Sequence, residues 1–140
     1  MKKFYKYLLL LIISLLLSSC NDESIYFNYD EMIDKVVKIE VVETEASAQP
    51  AKYNKHLLSL DDDLIDDFLL DLSKIEFTKK WLYFGEVPDG ITFLIYYENY
   101  KVDYDYIDYA ISTYNGNFVD INGPNDIYYN LVDKYYYQII

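Results

Sequence analysis

The chain has no arginine, and among its 140 residues cysteine, histidine and tryptophan occur once each, as Cys20, His56 and Trp81. A single cysteine excludes an internal disulfide, so the fold must hold by packing. A single histidine excludes the paired imidazoles of many metal and acid–base sites. The four glycines include no phosphate-cradling loop. Twelve lysines face 24 acids, a net charge of −12. Such a surface repels phosphate backbones, because counterion release requires cations on the protein, so nucleic acid is excluded as a partner.

What is present begins at the first residues. Lys2, Lys3 and Lys6 precede Leu8 to Leu17, which is apolar except for Ser14, and Ser18, Ser19 and Cys20 follow. Basic, then apolar, then small is the layout of a secretory signal. The apolar run is about half the roughly 20 residues that a membrane span needs. Leu17-Ser18-Ser19-Cys20 resembles the bacterial lipobox. That resemblance implies that the Cys20 thiol receives diacylglycerol, that a peptidase cuts before it, and that Cys20 becomes the first mature residue. The other reading is an ordinary signal followed by a free thiol, which an oxidising exterior would threaten. Two acyl chains hold a protein on a bilayer where one holds it only marginally.

The expected organisation is a signal peptide over 1–19, a lipidated cysteine with an acidic tether over 20–34, and one domain over 35–140. Fourteen tether residues would reach on the order of 45 Å. The mature part keeps nine lysines against 24 acids, a net charge of −15. It would sit on the extracytoplasmic face of the cell membrane, compatible with a cationic partner.

Within the domain, Lys35–Glu43 is rich in β-branched residues and reads as a strand. Residues 44–51 read as a loop, and Lys52–Leu58 as a returning strand. Leu60, Leu64, Ile65, Phe68, Leu69 and Leu72 make one apolar stripe on a helix, with Ser59 as its cap. Ile75–Phe84 and Ile91–Tyr97 read as strands around the turn at Pro88-Asp89-Gly90, and Ile91, Phe93, Ile95 and Tyr97 share a face. From Val102 the alternation changes parity, which suggests a bulge or bend near Tyr106. Asn115-Gly116 marks a tight turn before a strand at Phe118–Ile121. Gly123-Pro124 opens a last helix carrying Ile127, Leu131, Tyr135 and Ile139. The fold class is α+β, an antiparallel sheet of four to six strands with two helices packed against it.

Three phrases resemble a group of small lipoproteins and secreted proteins of low-GC Gram-positive bacteria. They are Val36–Val42, Asp66–Phe77 and Asn130–Tyr135. The group carries no assigned activity, so the resemblance implies an envelope address and no functional residue.

No catalytic constellation stands out, and the chain reads as a non-enzyme without a cofactor or resident metal. His56 reads as a loop or strand-edge residue. Asp61-Asp62-Asp63 lacks the alternating ligands and central glycine of a calcium loop. Asp103, Asp105 and Asp108 read as a solvated strand face. The candidate interaction surface is Asp103, Tyr104, Asp105 and Tyr106, acidic on one side of a strand and aromatic on the other. A cationic peptide or an envelope protein would use the first, and a glycan could stack on the second. Sixteen mature tyrosines supply aromatic bodies with wet hydroxyls, suited to half-buried positions or to interfaces. The alternative to an interaction module is a small ligand-binding lipoprotein or enzyme of the envelope.

Overall fold

The computed structural model describes residues 1–18, 23–44, 55–80, 90–98, 104–109 and 112–140. Its elements run α1 (Lys2–Ser18), β1 (Ser24–Ile25), α2 (Tyr29–Lys35), β2 (Val36–Thr44), β3 (Lys55–Ser59), α3 (Asp62–Ser73) and β4 (Phe77–Lys80). Then come β5 (Gly90–Tyr97), β6 (Tyr104–Ile107), β7 (Ser112–Tyr114), β8 (Asn117–Ile121), α4 (Asp126–Val132) and a π-helical turn over Asp133–Tyr137. The class is α+β.

The expected single sheet is two. One is ordered β3-β2-β5-β6 and the other β1-β4-β8-β7, both antiparallel. The strands before and after Pro88 therefore do not pair: β4 lies between β1 and β8, while β5 lies between β2 and β6. Among the described residues the α-helices number four rather than two, because α1 lies in the expected signal and α2 runs from the expected tether into the first residue of the domain.

The first sheet follows its alternation closely. Ile39 and Val41 of β2 stand opposite Ile95 and Phe93 of β5, and all four are fully buried. β3 returns along β2 with a register shift between Val41 and Val42. Thr44 and Thr92 join their hydroxyls at 3.1 Å on the other face.

α3 buries Ile65, Phe68, Leu69 and Leu72 against this sheet's inner side, as the stripe requires. At about 1.5–3 kcal/mol per large apolar side chain, that stripe is a principal source of stability. Phe68 sits between Phe93, 4.9 Å away, and Tyr135, which meets it edge-on at 5.0 Å. The cap differs from expectation. Asp61 holds the N-cap position without a side-chain bond, and Ser59 ends β3 instead. Leu60 turns the chain by donating its N–H to the Ile39 carbonyl at 2.9 Å.

The acidic stretch expected as a tether folds into the domain from Ser24 onward. Ser24 and Ile25 pair with Thr78 and Phe77. Asn28 caps α2 by accepting the Glu31 N–H at 3.3 Å. Phe27 and Met32 are buried, and the Phe27 ring stacks on Tyr114 at 4.2 Å and tilts against Phe77 at 4.7 Å. Two large apolar side chains outweigh the charges around them.

β7 and β8 turn through Asn115 and Gly116, both with positive φ (51° and 77°), the primed turn that matches strand twist. The last helix begins at Asp126 with Asn125 as its N-cap residue, and it buries Tyr128, Leu131 and Val132. Its continuation widens into the π-helical turn, which buries Tyr135; Ile139 stays exposed.

α1 stands apart. Leu8 to Ile13, Leu15 and Leu16 are all exposed, and none of the described side chains of this helix joins the core. Among the described residues, no helix is long and apolar enough to cross a membrane.

Candidate interaction surface

Alternation decides which side chains of β6 face outward. Asp105 stands opposite Ile95, and Ile107 opposite Phe93, so Asp105 and Ile107 take the inner face. Tyr104 and Tyr106 take the outer one, beside Tyr96 and Leu94. The expected solvated carboxylate face is thus corrected: Asp105 is 3% exposed and Asp108 is 7% exposed. Asp103 lies outside the described residues, as does Cys20.

Asp105 is held by donors from both sheets. The Tyr97 hydroxyl of β5 donates to Oδ2. The Thr113 hydroxyl of β7 donates to Oδ1 at 3.3 Å, and the Asn115 N–H donates to Oδ2 at 3.3 Å. Thr113 in turn accepts the Tyr106 N–H at 3.1 Å. One carboxylate therefore clasps the edge of the first sheet to the turn of the second. Burial pushes its pKa above 3.8, against the pull of the bonds from Tyr97, Asn115, Thr113 and Gly116. Burial and the same carboxylate push the Tyr97 phenol up strongly. This is a structural clasp, and its chemistry is spent inside the fold.

The outer face of the first sheet carries the accessible groups. Tyr104, 41% exposed, packs at 5.6 Å from Tyr96, and the Lys38 ammonium lies 5.6 Å above the Tyr96 ring. Glu40 gathers three partners. It pairs with Lys38, accepts from the Tyr96 hydroxyl at 3.2 Å, and lies 3.9 Å from His56 Nδ1. Burial, then the Glu40 charge, pushes the Tyr96 phenol up to about 12. His56 is thus a strand-edge residue on β3, as expected, and it joins a face that sequence reasoning assigned to β6 alone. The signal for the rest was the alternation of Lys38 and Glu40 within the β2 run.

A second aromatic group forms where Tyr109 meets α4. Tyr109 lies 5.7 Å from Tyr128 and 5.8 Å from Tyr129, and its hydroxyl accepts from the Asn125 amide at 2.9 Å. Tyr128 is buried and its hydroxyl donates to the Ile91 carbonyl, which ties α4 to β5. Tyr109 and Tyr129 remain exposed. Composition alone pointed to these tyrosines; their meeting depends on the fold.

Neither face assembles a nucleophile with a base. Among the described residues, no group of three or more histidine, cysteine or acidic side chains could hold a metal ion. What the outer face can do is stack an apolar or cationic group on Tyr104 and Tyr96 while Glu40 and Lys38 supply charge and hydrogen bonds. Comparison of the chain with protein-family models, with curated protein sequences and with solved structures found no match.

Proposed function

We propose that this chain is a lipoprotein of the bacterial cell envelope. In this reading Cys20 carries diacylglycerol on the extracytoplasmic face, and the domain is a binding module for a protein or cationic peptide. The observation that carries the address is α1. Eight apolar side chains from Leu8 to Leu16 are exposed in a helix that the domain does not cover. They follow three lysines and run directly into Leu17-Ser18-Ser19-Cys20. An uncovered apolar helix of this length suits a signal that enters a membrane and is then removed. The low-GC Gram-positive resemblance supports the same address.

The binding role is supported by the outer face of the first sheet. Its exposed aromatic group sits beside a lysine–glutamate pair, on a mature chain of net charge −15. Tyrosine at such positions offers large contact area with little conformational freedom to lose.

Cys20→Ala tests the address: the variant moves from the membrane to the soluble fraction. Retention of a processed Cys20→Ala chain in the membrane overturns it. In-cell crosslinking followed by mass spectrometry tests the module. One dominant envelope protein, lost on Tyr104→Ala, supports it. A background identical to that of an unrelated lipoprotein overturns it.

A further inference from the structure

The clamping of β1 into the second sheet fixes how far the domain can stand from its anchor. Lys79 donates its N–H to the Glu23 carbonyl at 2.9 Å, and Ser24 pairs with Thr78. The chain is therefore held from Glu23 onward. Only three peptide steps separate Glu23 from Cys20. They span at most about 11 Å, against the 45 Å of a free tether.

Strand direction then says which end of the sheet meets the anchor. β1 and β4 are antiparallel, so the chain arrives from Cys20 beside Lys79 and Lys80. Lys80 pairs with Phe118 and Lys79 with Val119, so the start of β8 lies at the same end. The Asn115-Gly116 turn and Asn117 cap it. The other end of β8, at Ile121 and Asn122, lies beside Phe77 and Glu76. Lys80 and Phe118 share one face of this end, while Lys79, opposite the buried Val119, takes the other. Phe118, 37% exposed, stands beside Lys80. Lysine with an exposed aromatic is the chemistry that meets a headgroup layer: cations face anionic phosphates and the ring sits at the interface. Asp22 and Glu23 belong to the short link itself and Asp120 lies within the field of Lys80, so the length of the link, more than charge, sets which end meets the bilayer.

We infer that the Lys79–Lys80–Phe118 end of the second sheet faces the lipid headgroups, so that the domain rests on the bilayer in one orientation. This rests on the lipid anchor proposed above and adds the surface that touches the membrane.

Because Cys20 would be acylated, a second cysteine is a unique labelling site. Asn117→Cys and Asn122→Cys are both exposed and lie about 17 Å apart along β8. Each full-length chain is matured in cells, labelled with a thiol-reactive fluorophore and placed in phosphatidylglycerol–phosphatidylcholine vesicles containing nitroxide-headgroup lipid. Quenching at Asn117→Cys is expected to exceed that at Asn122→Cys by at least twofold. Phe118→Cys gives the same reading if the Asn117 change disturbs the turn. Equal or reversed quenching in protein that floats with the vesicles overturns the orientation. Protein that does not float overturns the anchor itself.

Discussion

The hydroxyl of Tyr97 bonds to the carboxylate of Asp105 on the neighbouring strand, inside the fold and not on its surface. Asp105→Ala would leave that hydroxyl, the Asn115 N–H and the Thr113 hydroxyl without their acceptor. The expected cost is about 2–3 kcal/mol, read as a lower denaturant midpoint. Asp105→Asn keeps the shape and one acceptor oxygen and should lose less. The pH dependence has a definite sign. The folded-state pKa is raised above 3.8 because burial penalises the charge more than the bonds favour it, so the net contribution of Asp105 to stability is fully present below 3.8 and is lost as pH rises through the folded value. The stability of the wild type relative to Asp105→Asn should therefore fall as pH rises from 3.8. A difference that grows with pH would refute this account.

Asp71 works in the opposite sense. Burial alone would raise its pKa, but bonds from Lys134 and Tyr135, with the charges of Lys134 and Lys74, pull it below 3.8. Its contribution is present above 3.8 and is lost as pH falls through the folded value. Lys134→Met should move the Asp71 pKa upward, as read by carboxyl NMR titration. The pair lies half in solvent, Lys134 to Asp71 at 2.7 Å, so the stability change should stay under about 1 kcal/mol.

Gly123 has φ of +148°, and a Cβ there would meet the Ile127 Cδ1 at 2.7 Å. Gly123→Ala should cost about 1–3 kcal/mol from backbone strain and contact together. Adding Ile127→Val removes the contact and leaves the strain, so it should restore only part. At Gly116, φ is +77° with nothing within 4 Å, and Gly116→Ala should cost about 1 kcal/mol from backbone alone. Equal losses at the two positions would contradict the contact at Ile127.

One truncation and one substitution separate α1 from α2. A chain beginning at Asn21 should unfold at the same denaturant midpoint as the full chain, because none of the described side chains of α1 joins the core. Phe27→Ala should cost about 3–5 kcal/mol, since its ring is 2% exposed between Phe77 and Tyr114. A small effect at Phe27 would return residues 24–34 to the role of a tether.

Local pattern was legible where one face of an element meets one core. The α3 stripe, the Phe93 and Ile95 face, the β2–β3 return and the Asn115-Gly116 turn all lie where periodicity or turn chemistry put them. Asp105 misled because carboxylates were assigned to solvent by type. Counting back two residues from the inward Ile107 would have placed it inside, and the apparent change of parity reflects this buried acid followed by the end of β6. The tether misled for the converse reason: its net charge hid Phe27 and Met32. The division into two sheets has no local signal, since β4 chooses β8 over β5 by contacts far along the chain. For the candidate surface, Tyr104 was legible from alternation, and alternation also turned Lys38 and Glu40 outward on β2, but that these and His56 lie on the same face as Tyr104 depends on strand order.

The order β1-β4-β8-β7 also bears on when folding can finish. Its strands come from residues 24–25, 77–80 and 112–121, so the sheet closes only after most of the chain is available. Pairings this distant in sequence form late and slowly. On the envelope address proposed above, the chain would cross a membrane extended, and a sheet that closes only when its last strand is present is compatible with that route. An exported chain of this design would complete its fold on the far side, with its N-terminal end already held at the bilayer.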